Sequence, residues 1–362
     1  MNSSSVSSPL KTTSHFTVPL DFKNVPKLPD SHAWTNSPDE ILYPNLDHHD
    51  HHKPLLPIID FAKPDSILDL IKLACEEWGG FQVINHGIPI DLLNETESQA
   101  RRLFSLPNEQ KLLVARSPDN YVGYGIAGIS PFFPKLMWSE GYAMIGSPLG
   151  HASQLWPQDH AKFCEVMEKY QVEMKAFCEK TVELMLSSLG LTHEEDKKWF
   201  EPISGSDPNQ PKTTCVLQLN SYPVCPDPGR AMGLAPHTDS SLLTILYQGN
   251  IGGLQVQKND ELGWTPVEPV EGALVVNAGD LMHILTNGRF KSLLHRAMVN
   301  NTRHRLSVAY FYGPPKDAKV SPLKKLIDYD GNNPPLFRPV TWKEYLEAKS
   351  KHFNKALDTI RL

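Results

Sequence analysis

A series of short β-prone segments in the C-terminal half constrains the fold more than any other feature of the chain. After about residue 212, apolar and β-branched runs alternate with Pro, Gly and Asn, without helical patterns between them. The runs are VLQLNSYP, LLTILYQ, GLQVQ, GWTPVEP, ALVVNAGDLMHIL, HRAMVN and RLSVAYFYGP. Strands that follow one another without crossover helices favour an antiparallel sandwich or a jelly roll.

Helical patterns lie on both sides of this β-rich region. Apolar residues recur at helical spacing in DSILDLIKLACEEW, and Asp65 or Ser66 is placed to cap this helix. The predicted elements outside the β-rich region are helices over 65–78, 91–107, 159–190 and 341–358 and a strand over 79–87. Helices and strands that occupy separate parts of a chain indicate an α+β fold.

Composition and pattern divide the chain into four parts. We predict an extended, partly disordered arm over 1–54, a mostly helical region over 55–205, a jelly-roll domain over 206–320 and a helical tail over 321–362. The arm is rich in Ser, Pro, Asp and His and has no sustained periodicity. Its run DHHDHH (47–52) is interpreted as a solvated linker, because nothing nearby fixes the imidazole rings.

Charge and cysteine content argue against several classes of partner. The formal net charge is −6 and there is no long basic run, which argues against a nucleic-acid surface. No run approaches about 18 apolar residues, and the first residues lack the apolar core of a signal peptide, so no membrane partner is expected. The five scattered cysteines form no C-x-x-C pair, which indicates free thiols and a cytoplasmic protein.

His237 and Asp239, in APHTDSSLLTI, are candidate ligands of a metal ion. Two positions apart on a strand, their side chains would leave the same face. His295 is the candidate third ligand, and two histidines with one carboxylate leave three octahedral positions open, which suits non-haem Fe(II). The H-x-D pair alone is also compatible with a structural histidine. His283 competes as a ligand, but its place in an apolar predicted strand indicates a core histidine, and His86 in INHG is interpreted as a structural turn histidine.

A candidate carboxylate-binding pair follows the third histidine. Arg305 and Ser307 are again two positions apart on a predicted strand. A guanidinium pairs bidentately with a carboxylate and a hydroxyl adds a directed hydrogen bond, so the pair could hold the far end of a dicarboxylic acid. Asn220 and Tyr222 share one face of another predicted strand and could add contacts. In isolation, Arg305 would be interpreted as a surface arginine on a strand.

Taken in this order, N-x-Y, H-x-D, a distant His and R-x-S resemble the plant 2-oxoglutarate/Fe(II)-dependent dioxygenases. The resemblance covers residues 55–362. It rests on NSYPVCPDP, GLAPHTDSSLLTIL, GLQVQ, VVNAGDLMHILTNGRFKSLLHRA and RLSVAYFYGP. Three further stretches, 123–149, LWPQDH (155–160) and 340–357, resemble the gibberellin 3-beta-dioxygenases. Gly128 departs from that pattern, because an arginine often stands in the corresponding GYG-x-A-R-I context.

The resemblance implies a double-stranded β-helix (jelly-roll) core flanked by helices. It implies Fe(II) held by His237, Asp239 and His295. It also implies 2-oxoglutarate held by Arg305, Ser307, Tyr222 and Asn220. O₂ is the implied oxidant and ascorbate the reductant that supports turnover. The implied reaction couples decarboxylation of 2-oxoglutarate to 3β-hydroxylation of C19 gibberellin precursors, by a monomeric enzyme.

A pocket for such a rigid, apolar acid should be mostly apolar. Alternation from Arg305 and Ser307 places Phe311 inward and Tyr310 and Tyr312 outward. The other candidate pocket residues are Tyr124, Phe132, Phe133 and Met137, and ordinary core packing is the alternative for each.

Three other functions are compatible with parts of this pattern. A gibberellin 2-oxidase, or an oxidase with several activities, would share the same metal and cosubstrate residues. A non-catalytic jelly roll that binds a small acid would not need the complete ligand set. A hydrolytic zinc site would have no use for the dicarboxylate-binding pair.

Overall fold

Two β-sheets form the centre of the molecule. The computed structural model describes residues 18–34, 55–117, 122–192, 213–258, 263–328 and 331–362. The strands are β1 (Ile58–Asp60), β2 (Gly80–Ile84), β3 (Gly123–Gly125), β4 (Glu140–Met144), β5 (Thr214–Tyr222), β6 (Leu234–His237), β7 (Leu243–Tyr247), β8 (Leu254–Gln257), β9 (Thr265–Pro266), β10 (Leu274–Ala278), β11 (Leu294–Ala297), β12 (Arg305–Gly313), β13 (Lys319–Val320) and β14 (Val340–Thr341).

Helices surround the sheets. They are α1 (Ile67–Glu77), α2 (Ile90–Phe104), α3 (Asn108–Lys111), α4 (Leu149–Leu155), α5 (Ala161–Ser188), α6 (Asp280–Leu285) and α7 (Trp342–His352). The four long helices predicted from apolar spacing correspond to α1, α2, α5 and α7, each within a few residues except that α7 ends at His352 and continues as short 3₁₀ turns. Among the helices of the described segments, none has the length and hydrophobicity needed to span a bilayer.

The sheet order confirms the predicted jelly-roll class. One sheet has the order β1-β2-β10-β7-β12-β5-β4-β3, and the second has the order β6-β11-β8-β9. Only β1 and β2 pair in parallel among the described strands; the other pairs are antiparallel. Strands β1 to β4 of the larger sheet come from the region before residue 206, so both halves of the chain build this sheet. The predicted division at 205/206 stays a prediction.

The larger sheet has a helix-covered face and a cavity face. Along β12, Tyr310 and Tyr312 are buried in the main core with residues of α5 such as Tyr170 and Cys178, while Phe311 points to the opposite face. The predicted alternation is therefore observed. The outward side chains are buried, however, because the helical layer covers that face.

Two local predictions are corrected by the structure, and a third is not tested by it. The segment DLMHIL, expected to continue a strand, forms α6, because the chain leaves the sheet after Ala278. Ser66 occupies the N-cap position of α1, but its side chain makes no capping hydrogen bond, since a 3₁₀ turn over Pro64–Ser66 precedes the helix. The DHHDHH run lies outside the described residues.

A buried ion pair fixes β4 to the helical region. Lys111 Nζ lies 2.5 Å from Glu140 Oε2, and both side chains are 4% exposed. Tyr124 and Ser221 also donate hydrogen bonds to the Glu140 carboxylate, at 2.5 and 3.1 Å. Three side chains thus bind one carboxylate inside the protein.

Lys111→Met should lower the free energy of unfolding by about 3–5 kcal/mol, because it leaves Glu140 buried without its counter-charge. Urea denaturation measures the loss. Lys63→Met is the matched control, since Lys63 pairs with Asp60 at 3.6 Å with its side chain 79% exposed, and its cost should stay below about 1 kcal/mol. Lys111→Met combined with Glu140→Gln should recover part of the loss. Equal losses of unfolding free energy in Lys111→Met and Lys63→Met would contradict the role of the buried pair.

Candidate metal centre and cosubstrate site

Two neighbouring strands and one turn bring the three candidate metal ligands together. His237 ends β6 and lies directly opposite His295 on β11. Asp239 lies beyond the end of β6, in the turn that leads to β7. The expected geometry, with His237 and Asp239 on one face of a continuous strand, is therefore wrong in detail. The turn, rather than the strand pleat, directs the carboxylate toward the two imidazoles.

The ligand atoms of the three side chains converge on one point. All of them lie within 4.8 Å of one another. His237 Nε2 and His295 Nε2 are 3.7 and 3.8 Å from Asp239 Oδ1. The Nδ1 atoms of the two histidines lie 2.8 and 3.0 Å from the carbonyl oxygens of Ala235 and Leu293. A carbonyl accepts only from an Nδ1–H, so each neutral ring offers its Nε2 lone pair to the centre.

The protonation states of the three buried ligands favour binding of a cation. His237, Asp239 and His295 are 8, 5 and 7% exposed. Burial lowers the pKa of His237, which keeps its ring unprotonated. Burial alone would raise the pKa of Asp239, but the two imidazoles, a hydrogen bond from Thr244 and the charge of Lys349 together hold the pKa below its ordinary value. Two neutral imidazoles and one carboxylate match the donor set of non-haem Fe(II), and the residues present fit that ion.

A lysine from the C-terminal helix supports the turn between the ligands. Lys349 Nζ donates to the carbonyl oxygen and Oγ1 of Thr238, at 2.6 and 2.8 Å, and to Asp280 Oδ2 at 2.5 Å. Tyr345 donates to the same Asp280 oxygen at 2.7 Å. Asp280 is fully buried and its backbone N–H donates to the carbonyl oxygen of Asp239. Helix α7 therefore fixes the turn that carries Asp239.

The two histidines interpreted as structural are held by backbone groups. His283 lies in α6, with Nδ1 2.7 Å from the carbonyl oxygen of Phe290 and its ring edge-on to Phe337. His86 has Nε2 2.7 Å from the carbonyl oxygen of Gly272 and accepts from the N–H of Ile88 at Nδ1. Neither belongs to the three-residue ligand group found among the described residues.

His283→Gln should lower the free energy of unfolding by about 1–2 kcal/mol, because it disturbs a buried hydrogen bond and its packing. Iron content after reconstitution should stay at one ion per chain, since the ring does not face the ligands. Thermal unfolding and metal analysis of the same sample measure both effects. Loss of the bound iron would identify His283 as a ligand instead.

Arg305 is a buried cation that faces the cavity. It is 1% exposed, and burial lowers its pKa. Its Nε donates to the carbonyl oxygen of Ile251 at 3.2 Å and its Nη2 to Gln248 at 3.3 Å, while Nη1 has no hydrogen-bond partner among the described residues. No described carboxylate pairs with this guanidinium. A buried charge without a counter-ion is costly, so an anionic ligand fits this position.

The other residues predicted to hold a cosubstrate surround Arg305. In the pairing of β12 with β5, Arg305 lies opposite Tyr222 and Ser307 opposite Asn220. The guanidinium carbon of Arg305 is 4.9 Å from the centre of the Tyr222 ring, and Asn220 Nδ2 is 3.4 Å from Ser307 Oγ. All four side chains line one cavity with the three metal ligands. The guanidinium and the two polar side chains therefore provide donors for a carboxylate.

The cavity of about 300 Å³ has mostly apolar walls away from these polar groups. Of the predicted pocket residues, Phe132 and Phe311 line it. The segment after β3 also contributes Ala127, Gly128 and Ile129, and a Cβ placed on Gly128 would contact nothing within 4 Å. Apolar lining residues not anticipated from the sequence are Leu234, Leu246, Leu254, Ala297, Leu346 and Phe353.

Three predicted pocket residues are not part of the described cavity lining, and the predictions for them are corrected. Tyr124 is 1% exposed, and its hydroxyl donates to Glu140 instead. Met137 is buried beneath β6, where its sulfur accepts from the N–H of Ala235 at 3.5 Å. Phe133 packs against Trp34 and edge-on to Phe353, behind the lining residue Phe132. All three residues pack in the protein interior, which is the alternative given for them in the sequence analysis.

Sequence reasoning did not identify Arg116, Gln218 and Lys349 as cavity residues. Arg116 follows an apolar run and Lys349 lies on an amphipathic helix, and both patterns are typical of surface cations. Gln218 shares a strand face with Asn220 and Tyr222, and continuing that face by two residues could have identified it.

Comparisons with known proteins agree with this geometry. The 2OG-Fe(II) oxygenase superfamily matches residues 213–314, and a second family, described as the N-terminal part of a non-haem dioxygenase in morphine synthesis, matches residues 56–160. Gibberellin 3-beta-dioxygenase 3 of Arabidopsis thaliana is 51% identical over 351 residues, 95% of each chain. Gibberellin 3-beta-dioxygenase 1 of Pisum sativum is 51% identical over 342 residues, 94% of this chain and 89% of its own.

Solved structures with the same fold are also oxygenases. The crystal structure of JOX2 in complex with 2OG, Fe and JA superposes with a TM-score of 0.75 at 32% identity, covering 90% of each chain. The dioxygenase for auxin oxidation in rice has a TM-score of 0.68 at 26% identity, covering 85% of this chain and 100% of its own. Fold, ligand geometry and sequence identity agree, and the chain belongs to the 2OG-Fe(II) oxygenase superfamily.

Proposed function

We propose that this protein catalyses the 2-oxoglutarate- and Fe(II)-dependent 3β-hydroxylation of C19 gibberellin precursors to bioactive gibberellins. The observation that carries the proposal is a complete metal and cosubstrate site in a chain about half identical to gibberellin 3-beta-dioxygenases along nearly its full length. The assignment of a gibberellin as the substrate rests on those relatives and on residues 123–149, some of which line the cavity.

In this proposal, His237, Asp239 and His295 hold Fe(II) through two Nε2 atoms and one carboxylate oxygen. The bound iron supplies the O₂-dependent oxidation that converts 2-oxoglutarate to succinate and CO₂ and hydroxylates the substrate. Arg305 and Ser307 bind the far carboxylate of 2-oxoglutarate, with Asn220 and Tyr222 beside them. They fix the orientation of the cosubstrate, so that its keto acid end points toward the ligand group.

The cavity walls suit a rigid, apolar substrate. Phe132 stacks on Phe353 with ring centres 4.6 Å apart, and both line the cavity together with Phe311. Apolar walls with few polar groups exclude water and hold a hydrocarbon skeleton by shape. We therefore assign the space between these aromatic rings and the metal ligands to the gibberellin skeleton.

Product identification tests the proposal. The purified protein is incubated with labelled C19 gibberellin precursors, Fe(II), ascorbate and 2-oxoglutarate, and products are identified by mass spectrometry against authentic standards. The expected product carries one new hydroxyl group, at C-3 in the β orientation. Hydroxylation only at C-2 would replace the proposal with a gibberellin 2-oxidase.

A parallel measurement of CO₂ release separates an enzyme from a binding protein. Release of CO₂ from 2-oxoglutarate should require both the gibberellin precursor and O₂. No release with Fe(II) and precursor present would favour a binding protein. Activity that persists without O₂ would favour a hydrolytic site.

We also propose that the enzyme works as a monomer in the cytoplasm. The five cysteines are all free, which supports a reducing compartment. Sedimentation of the purified protein and imaging of a fluorescent fusion in plant cells test these two points.

A further inference from the structure

Arg116 lies on the wall of the cavity, and its own side chain is part of the lining. It follows the 3₁₀ turn over Leu112–Val114 and reaches across β3 to β5. Its Nε donates to the carbonyl oxygen of Gly123, Nη1 to that of Ile126 and Nη2 to Gln218 Oε1, each at 2.9 Å. These three bonds fix the guanidinium plane against the sheet.

Two glycines make room for this side chain. A Cβ on Gly125 would lie 3.3 Å from Arg116 Cδ, and a Cβ on Gly141 would lie 3.6 Å from Arg116 Nη2 and 2.6 Å from Gln218 Nε2. Gly125 and Gly141 are paired across β3 and β4. The sheet therefore lacks side chains at the place where the guanidinium lies, as expected for a preformed binding group.

The guanidinium of Arg116 keeps donors and charge that the described residues do not use. A guanidinium has five N–H donors, and the described residues accept from three of them, which leaves one on each of Nη1 and Nη2. Each observed acceptor is a neutral oxygen, and none of the described carboxylates forms an ion pair with Arg116. Burial lowers its pKa to about 10, so the group still carries its charge at neutral pH.

The other described cations of the cavity wall have partners or another assigned role. Lys349 pairs with the Asp280 carboxylate. Arg296 stacks on Trp264 at 4.2 Å and donates to Gln255. Arg305 is assigned to the cosubstrate. Arg116 is thus the cavity cation that fits a second anion.

Arg116 and Arg305 contact one strand, β5, at different positions: Arg116 at its middle and Arg305 at its C-terminal end. Arg305 lies opposite Tyr222, and Arg116 is bonded to Gln218, four residues earlier on β5. At about 3.3 Å per residue, the two registers are about 13 Å apart. This separation leaves room for a cosubstrate at one end and an acidic substrate at the other.

We propose that Arg116 binds the carboxylate of the substrate through the free N–H groups of Nη1 and Nη2, and so selects the free acid. The proposal rests on the proposed function, since it takes the substrate to be a gibberellin acid. It assigns to Arg116 the orientation of the apolar skeleton within the cavity, whereas Arg305 orients 2-oxoglutarate.

The test compares a gibberellin precursor with its carboxylate methyl ester, in the wild type and in Arg116→Met and Arg116→Lys. The wild type should have a KM about 10- to 100-fold higher for the ester than for the acid, since the ester loses a charge-assisted pair. In Arg116→Met, the KM for the acid should rise to that for the ester. Arg116→Lys should retain part of the preference, and the KM for 2-oxoglutarate should stay within about twofold in all three proteins.

The ester comparison separates binding from a structural role of Arg116. A residue that only holds the loop would raise the KM of acid and ester equally, and an unchanged ester-to-acid ratio in Arg116→Met would overturn the proposal. Equal KM values for acid and ester in the wild type would overturn it without any variant. Arg289→Met, which removes an ion pair with Glu76, is the matched control and should keep the wild-type ratio. Failure of the wild type to convert any gibberellin acid would instead overturn the proposed function.

Discussion

Asp239→Ala is expected to remove iron binding and to reduce succinate formation more than about 100-fold. Loss of a single hydrogen-bonded neighbour of a ligand costs about 10- to 100-fold in metal affinity or activity, and loss of the ligand itself should cost more. Asp239 is also the one carboxylate in the ligand group, so the variant leaves two neutral imidazoles that attract a cation weakly. Metal analysis after reconstitution and a succinate assay measure the two effects.

The Asp239 variant should remain folded. Its Tm should stay within several degrees of the metal-free wild type, because Asp239 lies in the turn beyond β6 and the pairing of β6 with β11 does not depend on its side chain. Asp69→Ala, an exposed aspartate of α1, is the control and should retain full activity. Stoichiometric iron in Asp239→Ala would show that the metal is held elsewhere.

Arg305→Lys is expected to raise the 2-oxoglutarate concentration for half-maximal rate by about 10- to 100-fold. A hydrogen bond to a charged group contributes about 1.5–3 kcal/mol, and an ammonium group cannot reproduce the planar fork of a guanidinium. The shorter lysine would also lose the bonds to Gln248 and Ile251 that fix the arginine in place. The titration is followed by succinate formation at saturating gibberellin precursor.

Ser307→Ala provides the graded comparison for Arg305→Lys. It removes one neutral hydroxyl, so the 2-oxoglutarate requirement should rise only about 2- to 10-fold. Iron content should be unchanged in both variants, since neither residue belongs to the ligand group. An unchanged 2-oxoglutarate requirement in Arg305→Lys would contradict the assignment of this arginine to the cosubstrate.

Much of the architecture could be predicted because it depends on local patterns. Apolar spacing located the long helices, and β-rich runs separated by Pro, Gly and Asn located most strands of the two sheets. Strand alternation correctly grouped Arg305, Ser307 and Phe311 on one face, because the period of two holds throughout the nine-residue strand β12. The same rule failed for Asp239, since β6 ends two residues earlier.

The pocket could not be predicted in the same way because its walls come from distant segments. Tyr124, Phe132, Phe133 and Met137 lie within one short stretch, yet only Phe132 lines the cavity. Which of them turns inward depends on Glu140, Trp34 and Ala235, and these contacts are long-range. Propensity and spacing carry no information about such partners. For the same reason, Arg116 could not be distinguished from a surface arginine.

The contact between Lys349 and Thr238 determines when the site can be completed during synthesis. All three metal ligands leave the ribosome before α7 is made, because Lys349 follows His295 by more than fifty positions. A nascent chain can thus pair β6 with β11 while the turn carrying Asp239 still lacks its support. Only after α7 docks is that turn held at both the Thr238 carbonyl and hydroxyl oxygens. The site can therefore be completed only once synthesis has passed Lys349, because its last support joins residues that are 111 positions apart in the chain.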